Sequence, residues 1–205
     1  MKNWDELADP ESIARAVESL KTNGINAVVV ENSKDAKKKV LELLPQESEV
    51  MTMSSVTLDT IGLAKEINES GKYNSVKARL MKMDRTTQGL EMQKLGVAPE
   101  YAIGSVHAAT QDGKLLIASN TGSQLPAYAY GASHVIWVVG TQKIVENEES
   151  GKKRIYDYVL PLESARINKV FNTTAGSFVS KLLIINRERK TDRLTVIFVK
   201  EKLGF

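Results

Sequence analysis

A chain of 205 residues, 42% hydrophobic and 26% charged, with a formal net charge of +3, has the composition of one sizeable globular domain. It holds no cysteine and only two histidines, which excludes a disulfide framework, a thiolate nucleophile, a Cys-ligated zinc or iron–sulfur centre and a three-histidine metal site. No apolar run reaches the roughly 18 residues of a membrane span, and residues 1–6 lack the apolar core of a secretory signal, so the expected location is cytoplasmic.

Residues 3–23 predict a helix broken or kinked near Pro10, with Ile13, Ala14, Val17 and Leu20 on one face. The β-branched run INAVVVE (25–31) predicts a strand buried on both faces. Ser33 is the expected cap of an amphipathic helix that stops at Pro45, and EVMTM (49–53) is the next strand. A helix from about Val56 to Ser70, closed by Gly71, completes an α-β-α-β-α alternation, which calls for parallel strands. Residues 73–83 are ambiguous, and 84–96 read as helical. YAIGSVHAAT (101–110) reads as a single strand. Asp112-Gly113 predicts a two-residue type I′ hairpin turn into KLLIAS, which makes the sheet mixed.

A helix from about Ser123 to Ala132 leads into HVIWVVG (134–140), another strand buried on both faces. Helices follow near 147–158 and 161–172. KLLIINRE (181–188) and LTVIFVK (194–200), joined by a turn at RKTDR, read as a terminal hairpin, for seven or eight strands in all. No repeat, low-complexity tract or linker interrupts the chain. The expected architecture is one domain over residues 1–205: a three-layer, Rossmann-like α/β fold whose mixed, mostly parallel sheet carries helices on both faces, plus β-hairpins.

Ligands of open α/β sheets bind outside the carboxyl ends of the parallel strands. Two Ser/Thr-rich junctions fall at such ends, Thr52 to Thr57 with Ser54 and Ser55, and Ser119 to Ser123 with Asn120, Thr121 and Gly122. Each leads into a helix, where hydroxyls and free backbone N–H groups make either an ordinary cap or an anion seat. Neither matches a Walker A or GxGxxG pattern. Ser105 and His107 share a face of their strand, and His107 is either a core hydrogen-bonding group or a general base. His134, between a helix end and an apolar strand, suits a cap. Lys143 follows a strand end, within reach of a carboxylate or phosphate. Glu163 and Arg166 have helical spacing for a local ion pair. Lys152-Lys153-Arg154 reads as a solvated helix turn.

Residues 151–205 carry 12 Lys/Arg against 5 Asp/Glu. Such a segment is either a solvated face or an attractor of phosphate-bearing molecules. Its few aromatics and its apolar strands argue against nucleic acid. The nearly uncharged LPAYAYGA (125–132) implies burial within the protein or in a subunit contact, including one between copies of the chain.

The combined run GSVHAATQDGKLLIASNTGSQLPAYAYGASHVIWVVGTQKIV, then RIYDYVLPLESARI and KLLIINRE, resembles the LUD domain family of lactate-utilization proteins over about residues 104–188. SSVTLDTIGL in the first half resembles that family's Ser/Thr-rich element. The resemblance implies the fold of ribose-5-phosphate isomerase, glucosamine-6-phosphate deaminase and the CoA transferases (NagB/RpiA/CoA transferase-like). It also implies a role in L-lactate or organic-acid utilization. By this similarity Ser54, Ser55, Thr57 and Asn120 to Gln124 form the pocket for a small anionic or phosphorylated metabolite. No cofactor is specified. His107 is the expected general base if the protein is an enzyme, with Ser55, Thr121, Gly122 and Ser123 as anion or oxyanion donors. The alternative is a non-catalytic, cluster-free subunit docking on iron–sulfur partner proteins of a lactate-oxidising complex.

Overall fold

In the computed structural model, which describes residues 3–205, the first part of the chain alternates as expected: α1 (Pro10–Thr22), β1 (Asn26–Val30), α2 (Ser33–Leu43) and β2 (Glu49–Thr52). Pro10 does not kink a helix but begins α1, where its missing N–H removes no bond, and Asp9 caps it by accepting from Ser12 N at 2.8 Å. The cap of α2 is Asn32, accepting from Asp35 N at 3.0 Å; the hydroxyl of Ser33 instead bonds the Glu201 carboxylate. The single helix expected over 56–70 is two, α3 (Val56–Thr60) and α4 (Leu63–Glu69), because Gly62 turns left-handed between them. The ambiguous stretch forms β3 (Asn74–Ser75) and α5 (Val76–Leu80), followed by α6 (Arg85–Val97).

YAIGSVHAAT is not one strand. It divides into β4 (Tyr101–Gly104) and β5 (Ala108–Thr110), which belong to different sheets. A Cβ on Gly104 would collide with the buried Tyr128 phenol, so the last residue of β4 has to be a glycine for that ring to cross it. The expected hairpin joins β5 to β6 (Leu115–Ser119), but not through a type I′ turn. Gly113 alone has positive φ (82°), and its N–H donates to Thr110 O at 3.0 Å. This is a type I turn with the glycine in the left-handed bulge position, and Gly113 backs directly onto Ser19 of α1.

β7 (His134–Gly140) follows, then β8 (Ile144–Val145), α7 (Glu148–Arg154), a π-helical turn at Ile155–Val159, α8 (Leu160–Phe171), β9 (Lys181–Ile185) and β10 (Leu194–Val199). Six strands form one sheet in the order β1-β10-β7-β4-β2-β3, with every neighbouring pair parallel. The other four form a mixed sheet, β8-β5-β6-β9. The terminal hairpin does not exist. β9 pairs antiparallel with β6 in the small sheet, whereas β10 lies parallel between β1 and β7, next to the edge of the large one. The described residues thus form ten strands rather than seven or eight.

Burial follows from that order. β7 is central and buried from Val135 to Gly140. β1 is an edge strand, with Val29 37% exposed, and so is not buried on both faces. One face of the parallel sheet packs on α2, α3 and α4 through Val40, Leu58, Leu63 and Ile67. The other packs on α1 and on the small sheet, through Leu20, Trp137, Phe198, Leu115 and Ile117. A third cluster, Ala108, Leu116, Val145 and Ile155, seats the helix after β8 on the far side of the small sheet. Helices therefore cover both faces of a parallel sheet in a Rossmann-like, three-layer arrangement. Among the described residues no helix is long and apolar enough to cross a membrane.

Candidate functional site

A cleft of about 570 Å³ opens where β2, β4, β6 and β7 end. Ser54, Ser55, Thr57, Ser105, His107, Asn120, Thr121, Ser123, Gln124 and Lys143 all line it, so both Ser/Thr junctions reach one cavity. Gly122 does not line it. The Lys181 side chain covers that residue, with Cδ 2.6 Å from where a Cβ would stand.

At the cleft floor, the short 3-10 turn Thr141–Lys143 after β7 directs Lys143 inward, leaving it 3% exposed. Its Nζ donates to Ser105 Oγ at 3.1 Å, Thr57 Oγ1 at 3.3 Å and Val106 O at 3.3 Å. Among the described residues no carboxylate oxygen lies within 4.0 Å of it. Burial pushes its ammonium down to about 7, and the Arg154 guanidinium adds to the shift. The segment after β10 closes the floor: Leu203 O accepts from Thr57 Oγ1 at 3.2 Å and Gln142 Nε2 at 3.0 Å. Gly204, at φ 63°, passes so close that a Cβ would stand 2.6 Å from Thr57 Oγ1, and Phe205 lines the cleft.

His107 sits in the link between the sheets rather than in mid-strand. Its backbone N–H extends the hairpin ladder to Leu116 O at 3.0 Å, and its Nδ1 accepts from Ala118 N at 3.1 Å. Burial, then the positive charges of Lys143 and Arg154, hold its pKa down to about 3. The ring is therefore neutral near pH 7, and since Nδ1 is an acceptor, Nε2 carries the proton.

Arg154 corrects the reading of residues 152–154 as a solvated turn. Lys152 and Lys153 are exposed, but Arg154 is fully buried, because the helix turns it beneath the small sheet. It donates to His107 O at 2.6 Å and lies 5.3 Å from the centre of the Tyr158 ring. Burial lowers its pKa to about 10. The Tyr158 hydroxyl donates to the Asp5 carboxylate, which also pairs with Lys202 at 2.6 Å. Sequence spacing could not single out Arg154 from its two neighbours; the adjoining IYDYV apolar pattern was the available signal.

The helix-terminus rationale for an anion seat is not realised at either junction. Ser55 precedes α3, a helix of 5 residues, and makes no side-chain cap bond. The helix expected from Ser123 to Ala132 begins only after a turn at 123–124 and covers 125–131, the last 5 residues of it, Ala127–Gly131, π-helical. The loop before it is internally satisfied. Ser119 Oγ accepts from Gly122 N at 2.8 Å and donates to Gln124 Oε1 at 2.9 Å, while Thr121 Oγ1 donates to Ser123 Oγ at 3.1 Å. In the other junction Ser54 Oγ accepts from Lys77 Nζ at 3.0 Å. The buried positive charge comes from Lys143, not from helix dipoles.

On the opposite wall Arg166 and Glu163 form the expected pair, bidentate at 2.7 Å and 2.7 Å. Beside them Ile155, Val159, Leu160 and Ile167 make the wall apolar, and Phe171 and Phe178 stand at its rim. LPAYAYGA divides its aromatics: Tyr128 is buried edge-on to Trp137, whereas Tyr130 is 90% exposed. His134 begins β7, at the end away from Gly140 and the cleft, stacked on Tyr101 with ring centres 4.8 Å apart. Among the described residues no group of three or more His, Cys, Asp or Glu side chains is placed to hold a metal.

Comparison with known proteins bears on the fold and the family. A crystal structure of a DUF162 family protein from Deinococcus radiodurans superposes with a TM-score of 0.59 at 12% sequence identity, covering 95% of this chain and 99% of that one. That likeness shows a shared fold. A comparison with curated proteins finds no match. The family model for the LUD domain matches residues 13–199, which spans both sheets and every wall of the cleft but its final two residues, and on that match the chain belongs to the LUD domain family.

Proposed function

We propose that the protein binds a small anion, a carboxylate or phosphate of organic-acid metabolism, with its acidic group at Lys143, Thr57 and Ser105. Family membership ties the chain to lactate-utilization-related domains. The observation that carries the reading is Lys143, a buried cation held, among the described residues, by neutral acceptors. An uncompensated buried charge is costly, and an arriving anion offsets that cost while gaining charge-assisted hydrogen bonds. His107 serves here as a neutral donor through Nε2. As a general base it would have to work through a nitrogen that already holds a proton, so binding and orientation suit it better. The Ser54–Ser55 and Asn120–Gln124 segments shape the mouth.

Calorimetric titration with L-lactate, pyruvate and inorganic phosphate tests this. One of them binds, Lys143→Met weakens it by about 10- to 150-fold, and affinity declines as pH rises above 7 and Lys143 loses its proton. Binding unchanged in Lys143→Met refutes the assignment.

A second reading, docking of the chain as a subunit on an iron–sulfur oxidoreductase, draws on Tyr130 and on α6, which has no buried residue. Copurification of a partner that Tyr130→Ala releases, with the cleft variants still bound, would favour it.

A further inference from the structure

The cleft has two chemistries, and only one of them is used by an acidic group. Its floor is polar, and its α8 wall is apolar. Phe171 and Phe178 are 66% and 60% exposed at the rim, although aromatic rings of this size are normally drawn into the core. Their positions are fixed by the fold. Phe171 ends α8, and Asn172 turns the chain back in a left-handed cap at φ 49°. The returning loop is tied to α8 by Gly176 N donating to Asn168 Oδ1 at 2.8 Å and Ser177 N to Ser164 Oγ at 3.0 Å. The next residue is Phe178, so both rings are presented along one margin of the same cavity.

Size points the same way. A cavity of about 570 Å³ falls in the range of roughly 300–1,000 Å³ that encloses drug-sized ligands. A lactate-sized acid at Lys143 would leave the apolar wall wet.

We propose that the cleft is built for an amphipathic anion, its acidic head at Lys143, Thr57 and Ser105 and an apolar or aryl body lying along Ile167, Phe171 and Phe178. The inference rests on the anion-binding reading and adds the chemistry of the rest of the ligand. Burying an aryl group against that wall raises affinity by about 10- to 100-fold over the same head alone.

Matched pairs sharing a head group test it in the full chain: L-lactate against L-3-phenyllactate, and inorganic phosphate against phenyl phosphate, by calorimetry. In at least one pair the aryl member binds at least about tenfold tighter. The double variant Phe171→Ala/Phe178→Ala, altered only at exposed positions, abolishes that preference and leaves the affinity of the small member unchanged. Lys143→Met weakens both members together. If the small and aryl members bind alike, or if the preference survives the double variant while Lys143→Met still weakens both, the amphipathic ligand is refuted and the anion site stands. If neither pair shows any dependence on Lys143, the anion site fails and the inference falls with it. If the double variant dissolves a homodimer without changing ligand preference, the aromatic rim serves self-association and the proposal is wrong.

Discussion

Two buried cations stand near opposite ends of the parallel sheet, and their surroundings differ. Arg193, 5% exposed and just before β10, pairs with Glu188 at 2.7 Å and donates to Ala132 O, Ala127 O and Tyr128 O at 3.0, 3.1 and 2.9 Å. It fastens the π-helical segment to the sheet, with its charge matched. Lys143, 3% exposed at the carboxyl end, has hydroxyls and a carbonyl but, among the described residues, no carboxylate. The matched charge of Arg193 organises the fold; Lys143, held by neutral groups among the described residues and lining the cleft as the buried Arg154 does not, is a position from which an external anion can be recognised.

The largest effect that could break this contrast is on stability. Arg193→Met takes the cation from the half-buried Glu188 and leaves Ala127 O, Ala132 O and Tyr128 O without their guanidinium donor, and should lower the free energy of unfolding by about 2–4 kcal/mol in urea titration. Lys143→Met should leave the unliganded protein equally or more stable, since it removes a desolvated charge. Equal losses in the two variants would erase the distinction. Gly104→Ala, which drives a methyl group into the Tyr128 hydroxyl, should cost about 1–3 kcal/mol, and adding Tyr128→Phe should recover part of it.

Proton linkage sharpens the contrast further. Lys143 is depressed from 10.5 to about 7, so between those values the unfolded chain holds a proton that the folded one lacks. Stability should therefore climb with pH across that window, by as much as about 1.4 kcal/mol per pH unit from this group, and Lys143→Met should lack that component. His107, depressed from 6.5 to about 3, contributes stability that is present above 6.5 and lost as pH falls toward 3. Chemical denaturation at stepped pH measures both. Smaller still, Ser119→Ala removes the hydroxyl that holds the Gly122 turn and should cost about 1 kcal/mol. Ser123→Ala, on an exposed bond to Thr121, should change stability by less than about 0.5 kcal/mol.

The sequence disclosed those parts of the molecule that local chemistry determines. The α-β alternation, the hairpin at Asp112-Gly113 and the burial of HVIWVVG all follow from patterns within a few residues. So does the arrival of two polar junctions at strand ends. Partner choice is not local. KLLIINRE and LTVIFVK look like adjacent strands of one hairpin, yet their pairing is decided by β6 and by the gap between β1 and β7. The break after Gly104 is equally invisible, because β4 pairs with β2 and β7 whereas β5 pairs with β8, all distant in sequence. Lys143 was legible as a strand-end residue but not as a buried one, since a lysine is solvated by default, and here Thr57, Ser105 and Val106 surround its ammonium while Gly204 passes close by.

The insertion of β10 between β1 and β7 bears on how the molecule is made. Until residues 194–199 emerge, nascent β1 and β7 each present an unpaired parallel edge, and no strand nearer in sequence closes the gap between them. Such long-range pairing slows folding and leaves adhesive edges open during synthesis. Ribosome-stalled chains ending before 194 should therefore recruit chaperone and resist compaction, whereas chains extended past 205 by a linker should collapse cooperatively. The cleft floor, which needs Leu203 in place, would then be among the last parts to form.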